Sequence, residues 1–333
     1  MKRYLSITLI FILLLSTAAA MSGCQIKGND SETEKTNASE KRLSIVTTIF
    51  PQYDFARQIV GDRADMTMLL APGAESHSYE PSPQDIIKIQ NSDIFIYNGG
   101  ENDVWVDNIL DSIDHSDIKI IKLLDCVDPL GEVLKEGMEP EEEEAAAEPD
   151  ASEAGDGIEY DEHVWTSPKN AIIITNVIRD IVCYEDSANA DYYQSNAKQY
   201  TDQLTELDNE FTAVIGNAKR KTFVFGDRFP LRYFADCYGL DYWAAFPGCS
   251  SETEPSAATV AFLVDKVKAD HIPVVFKIEL STGNVAKSIA KATGAKVMTF
   301  YSCHNLSGED FENGETYVSL MKRNVESLKE ALN

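Results

Sequence analysis

Short apolar runs alternate with amphipathic stretches along most of this chain. LSIVTTIF, MTMLLA, DIFIYNG and IKIIKLL read as strands, and YDFARQIVGD, SPQDIIKIQN and NDVWVDNILDSI between them carry helical spacing. A second block repeats the alternation: TFVFGD, LDYWAAF, PVVFKIEL and KVMTFYS as strands, with RFPLRYFADCYG, SAATVAFLVDKVKA, GNVAKSIAKATG and a closing TYVSLMKRNVESLKEAL as helices. Apolar strands separated by helices predict parallel sheets covered on both faces. Between the blocks, SPKNAIIITNVIRDIV opens a helix, and the clearest periodic segment follows it. Tyr193, Ala197, Tyr200, Leu204, Leu207, Phe211 and Val214 recur at alternating steps of four and three, and Gly216-Asn217 supplies a stop. About 27 residues at ~1.5 Å each span about 40 Å, enough to connect two lobes. The expected architecture is α/β with two lobes, each a parallel-type sheet flanked by helices, joined by one long linking helix. The N-terminal lobe covers residues 43–187, the linking helix 188–217 and the C-terminal lobe 218–333.

The start of the chain breaks this pattern. A basic Met1-Lys2-Arg3 precedes a mostly apolar run from Tyr4 to Ala20 and the phrase Met21-Ser22-Gly23-Cys24. That order describes an export signal over residues 1–23 rather than a membrane anchor, which needs about 20 apolar residues with matching flanks. The polar stretch 24–42 then has the composition of a flexible tether.

Charge narrows the class of partner. The formal net charge is -26, which excludes the basic footprint a nucleic acid requires. Residues 139–162 alone hold twelve acids and no Lys or Arg, so the acidic loop 136–162 reads as a solvated insertion. Besides Cys24, five cysteines remain, none at zinc-knuckle spacing. Export permits disulfides, and Cys249 and Cys303, both in turn-like sequence after strands, are the candidate bridge; buried single thiols are the alternative.

Chemistry concentrates in the few histidines. His77 in HSYEPSP and His163 in DEHVWTSP both precede a Ser-Pro helix start, Ser82-Pro83 and Ser167-Pro168. His304 in FYSCHNLS follows the last strand of the second block. Sites in open α/β sheets gather at the carboxyl ends of strands, so three imidazoles from strand-adjacent loops are placed to converge on one divalent cation. Zinc suits neutral imidazole at ~2.0–2.1 Å. Glu80 and Glu279 are candidates to orient these rings from behind, whereas His115 and His271 read as exposed helix-end residues. The strand ends carry no phosphate-cradling glycine motif and no Gly-x-Ser-x-Gly elbow.

With those phrases in place the chain resembles the solute-binding lipoproteins of zinc and manganese ABC importers, the high-affinity zinc uptake substrate-binding family. The two histidine motifs, the Ser-Gly-Cys ending, the acidic insertion before DEHVW, the long helix and the closing GETYVSLMKRN all match. The resemblance implies a lipid-modified Cys24 at the outer face of the bacterial cell membrane. It also implies one metal in the interlobe cleft, a monomer, and delivery to a permease with a cytoplasmic ATPase. Two departures stand out. Zinc members carry a third histidine, and manganese members a glutamate, after the first strand of the second lobe; here FGDRFP puts Gly226 at that position and Asp227 beside it. Asp227 is therefore a candidate ligand, or else a structural partner of Arg228. His304 falls close to the family's usual C-terminal aspartate. Three imidazoles and one carboxylate favour zinc over manganese or iron. The competing class is a zinc hydrolase, against which no His-Glu-x-x-His helix appears; an adhesin that keeps the fold is a third reading.

Overall fold

Two four-stranded parallel sheets share one strand order. In the computed structural model, which describes residues 42–75, 79–138, 159–248, 250 and 254–333, the first sheet runs β2-β1-β3-β4 and the second β6-β5-β7-β8. The first comprises β1 (Leu43–Thr47), β2 (Ala64–Met68), β3 (Ile94–Tyr97) and β4 (Lys119–Lys122), and the second β5 (Thr222–Phe225), β6 (Asp241–Trp243), β7 (Val274–Ile278) and β8 (Lys296–Phe300). Every pairing is parallel, as in Ile45 opposite Ile94 and Val224 opposite Val275. Strand order reverses beside β1 and beside β5, which opens a crevice at the carboxyl ends of the central strands in each lobe.

The crossover helices are α1 (Phe50–Val60), α2 (Pro83–Gln90) and α3 (Val104–Ser112) in the first lobe, and α6 (Arg232–Tyr238), α7 (Ala257–Ala269) and α8 (Asn284–Thr293) in the second. Between the lobes lie α4 (Pro168–Glu185) and α5 (Ala190–Gly216), and the chain closes with α9 (Gly308–Glu312) and α10 (Tyr317–Ala331). The two Ser-Pro starts work differently. Ser82 forms a full capping box with Asp85, accepting its N–H at 3.3 Å while Asp85 accepts the Ser82 N–H at 3.0 Å. Ser167 makes no side-chain cap, and α4 relies on Pro168 in its first turn.

Helix α5 buries Tyr193, Ala197, Tyr200, Leu204, Leu207, Phe211 and Ile215. The last member of the stripe is Ile215 rather than Val214, because a 3.6-residue repeat drifts against strict steps of four and three. The helix packs on α4, α1 and α10, so its buried face touches elements of both lobes. A single apolar cluster accordingly runs from Ile45 and Phe55 through Leu204 and Phe211 to Phe276 and Leu328. Residues 42–333 form one compact unit. Smaller clusters cover the outer sheet faces, around Val46 and Phe95 in one lobe and around Val224 and Val275 in the other.

The export signal, Cys24, His77, Cys249 and residues 139–158 of the acidic loop lie outside the described residues. Cys303 is a free thiol, fully buried in the shared core. That disagrees with the expected bridge to Cys249. Among the described residues no helix is long and apolar enough to cross a membrane.

Candidate metal centre

His163 owes its position to local backbone geometry. It precedes a 3₁₀ turn, Val164–Thr166, in which the Thr166 hydroxyl donates to the His163 carbonyl at 2.7 Å. Asp161 accepts the His163 backbone N–H at 2.8 Å, and the same oxygen lies 3.2 Å from the ring Nδ1. A carboxylate on Nδ1 fixes the ring and directs Nε2 toward a ligand, the arrangement usual behind metal-bound imidazoles. The His163 side chain is fully buried. Burial alone pulls an imidazole's pKa down, but Asp161, Glu162 and Glu132 outweigh it and hold this one above its ordinary value.

His304 reaches the same spot from the other lobe. Its loop leaves β8, and Glu279 at the end of β7 holds that loop by its backbone. Glu279 accepts the N–H groups of Ser302 at 2.7 Å and His304 at 3.2 Å, and the Ser302 hydroxyl at 2.7 Å. The rings of His163 and His304 have centroids 5.4 Å apart at 81°. Two imidazoles sharing one tetrahedral zinc at ~2.0–2.1 Å would set their centroids roughly 5 Å apart, so the pair has the spacing of a shared cation. Trp165 backs both rings at 5.4 and 5.0 Å, and its indole N–H donates to the Ser302 carbonyl at 2.9 Å, tying one lobe to the other.

The loop that carries His77 is stitched to this assembly. Asn305 donates its side-chain amide to the carbonyls of Ala71 and Ala74, both at 2.9 Å, and the Gly73 N–H donates to the Leu306 carbonyl at 2.8 Å. Tyr79 lines one small cavity together with His304 and Glu162, and Glu75 lines a second with His304 and Arg228. The two residues that flank the 76–78 segment thus both share a cavity with His304.

Asp227 accepts the Arg228 backbone N–H at 3.0 Å and the Ile278 N–H at 3.4 Å, and burial raises its pKa despite those bonds and one from Ser281. Together with His163 and His304 it does not form a three-donor group; among the described residues no such group is assembled. In the described structure Asp227 is engaged by two backbone N–H groups and by Ser281, and Arg228 bonds it through its main-chain N–H. Position 226 has no room for a donor, since a Cβ there would come 2.5 Å from the Ala286 backbone in α8. Glu279 accepts the His304 backbone N–H, and Glu80 is exposed. The acidic run also ends differently from its expected solvated form. Asp161 and Glu162 are 1% and 3% exposed. Burial lifts Glu162 to about 7 although Asn102 donates to both of its oxygens. Asp161, Glu162, Trp165, Arg228 and Asn305 were not anticipated from the sequence as parts of the site; the run Asp161-Glu162-His163 carried the only visible signal, two carboxylates beside an imidazole.

Two like α/β halves that bring one histidine each to a common crevice define a cleft-type binding protein. The chain belongs to the family described as zinc-uptake complex component A, periplasmic (ZnuA), which matches residues 45–331. That family is one of metal-uptake components, and it gives the hydrolase alternative no support. The chain is 34% identical over 292 residues to the zinc-binding lipoprotein AdcA of Streptococcus pneumoniae, a match covering 88% of this chain and 56% of AdcA. It therefore spans little more than half the length of that relative. It is 32% identical over 305 residues to the high-affinity zinc uptake system protein ZnuA of Bacillus subtilis, covering 92% of each. The Zn(II)-bound ZnuA-like domain of Streptococcus pneumoniae AdcA superposes with a TM-score of 0.70 at 32% identity, over 88% of this chain and 99% of that one.

Proposed function

We propose that the protein captures one zinc ion between its lobes and delivers it to an ABC permease driven by a cytoplasmic ATPase. The observation that carries this reading is the pair of imidazoles, His163 from the first lobe and His304 from the second, at the separation a shared tetrahedral ion imposes. His77 supplies the third imidazole; Glu75 and Tyr79 on either side of it share cavities with His304, which supports that assignment. Asp227 is left out of the donor set. Three neutral imidazoles favour zinc over manganese or iron, whose sites use more oxygen. The zinc-binding relatives and the zinc-uptake family support the same ion. In this reading Cys24 carries the lipid that holds a monomer at the outer face of the membrane, and residues 25–42 give it reach.

The test is zinc stoichiometry and affinity on the mature chain, by metal analysis and chelator competition. One tightly held zinc is expected, with no turnover of ester, peptide or phosphate substrates. His163→Ala and His304→Ala should each weaken binding at least about a hundredfold while the apo-protein still folds. Wild-type affinity in both variants would overturn the site.

A further inference from the structure

The closing helix α10 touches the carriers of both imidazoles. Two polar residues of the segment GETYVSLMKRN, Tyr317 and Asn324, are fully buried. The Tyr317 hydroxyl donates to the Trp165 carbonyl at 2.7 Å, and Trp165 stands in the 3₁₀ turn that follows His163. Asn324 grips the backbone of Tyr301, three residues before His304 and just past β8. Its side-chain carbonyl accepts the Tyr301 N–H and its amide donates to the Tyr301 carbonyl, both at 2.8 Å. Seven residues separate Tyr317 from Asn324, so they share one face of the helix, about 10.5 Å apart along its axis.

The start of α10 is itself pinned to the first lobe. Asp54 in α1 is fully buried and accepts both the Tyr317 backbone N–H and the Tyr200 hydroxyl of α5 at 2.8 Å. Arg57 donates to its other oxygen at 2.7 Å. A carboxylate at the first N–H of a helix also meets the positive end of the helix dipole. Phe55 packs edge-on against the Tyr317 ring at 5.2 Å. Tyr317 is thus fixed at its backbone by α1 and at its hydroxyl by the turn behind His163.

His163 and His304 both sit outside the regular helices and strands, and a metal site tolerates misplacement of its ligands by only about 0.5 Å. On the zinc-capture reading above, we propose that α10 is a ruler for the metal centre, with Tyr317 and Asn324 as positioning residues that set the separation of the two imidazoles. Neither residue supplies a donor to the ion. Tyr317 fixes the turn that carries His163, Asn324 fixes the strand end that leads to His304, and the rigid helix between them holds the two carriers at one distance. A purely structural role would use the same bonds to stabilise the core, and cutting them would then cost stability alone.

The experiment compares three variants with the wild type. Tyr317→Phe removes one hydroxyl and keeps the ring, Asn324→Ala removes the grip on Tyr301, and Leu328→Ala truncates a fully buried side chain of the same helix that makes neither bond. Zinc affinity is read by chelator competition, ligand geometry by the visible absorption of cobalt(II) bound in place of zinc, and folding by thermal unfolding of the metal-free proteins. The ruler predicts that Tyr317→Phe and Asn324→Ala each weaken zinc binding at least about tenfold and alter the cobalt spectrum. Leu328→Ala should lower the unfolding temperature and keep wild-type affinity and spectrum. Wild-type affinity or a wild-type cobalt spectrum in Tyr317→Phe overturns the ruler, and so does a loss of affinity in Leu328→Ala as large as theirs. Asn324→Ala is held to the same standard if it folds, and Tyr317→Phe decides alone if it does not. A wild type that binds no zinc would instead overturn the capture reading itself.

Discussion

His163 shows how one side chain is tuned by its immediate neighbours. Its ring is fully buried, and three carboxylates hold its pKa above the ordinary value of 6.5. A protonated imidazole cannot coordinate, so a raised pKa makes the proton a competitor at higher pH. Zinc affinity should therefore decline as pH falls through that raised value, starting above pH 6.5, by up to about tenfold per pH unit for this one proton. In Asp161→Asn the strongest charge behind the ring is gone. The decline should then begin at lower pH, while affinity at pH 8 drops about 10–100-fold because the ring loses its orienting partner. Titrating zinc affinity against pH in both proteins checks both halves of the prediction, and identical profiles would refute the role of Asp161. Gly248 belongs to the same small assembly. A Cβ there would come 3.2 Å from Cε1 of His163 and 3.0 Å from the Phe229 carbonyl, so the chain passes over the imidazole only where a side chain is missing.

Among the elements, α5 is the one whose form and purpose were both legible beforehand. Its spacing specifies a single buried stripe, and the structure moves only the last member, from Val214 to Ile215. Phe211 is fully buried and packs edge-on against Phe234 at 4.9 Å. Phe211→Ala should cost about 3–5 kcal/mol of stability, through lost burial and the cavity left behind. Because the stripe belongs to the core shared by both lobes, urea denaturation should show one transition shifted as a whole rather than the loss of one lobe. The strands were nearly as legible: seven of the eight expected runs contain one, while MTMLLA only overlaps β2, which spans Ala64–Met68, and β6 is only Asp241–Trp243 within LDYWAAF. The Ser-Pro motif was only half informative. It starts both helices, but the element that aims His163 is the 3₁₀ turn before α4, whose hydrogen bonds depend on backbone torsions that no residue pattern encodes.

For the whole molecule the lobes are neither independent nor joined by α5 alone. Besides the shared core, Tyr233 donates its hydroxyl to the Asp161 carbonyl at 2.8 Å and Tyr317 donates to the Trp165 carbonyl at 2.7 Å. Both bonds hold the His163 turn from the second lobe. The roots of the acidic insertion are tied down as well. Gly131 bridges Tyr160, and Glu132 accepts the Gly248 N–H at 2.9 Å. Replacing residues 139–158 by a short Gly-Ser linker should therefore leave tight zinc binding unchanged and remove only weak secondary cation binding. Calorimetric titration of the two proteins distinguishes these, and loss of the tight site would show that the insertion takes part in it.

The sequence by itself determined the elements, their parallel order of strand and helix, the long linking helix and the histidines worth watching. Each of those rests on neighbours at i+2, i+3 or i+4, which a linear pattern records directly. Tertiary structure alone decided which charges are buried and which way the strand-end side chains turn. Asp161 and Glu162 leave the acidic run to stand behind His163 and beneath Asn102. At the end of β5, adjacent residues point to different surroundings, so Asp227 accepts backbone N–H groups while Arg228 enters the cleft. Cys303 turns into the core. These outcomes depend on how two lobes meet across more than a hundred residues of sequence, as Trp165 and Ser302 do with a separation of 137, and no local periodicity carries that information.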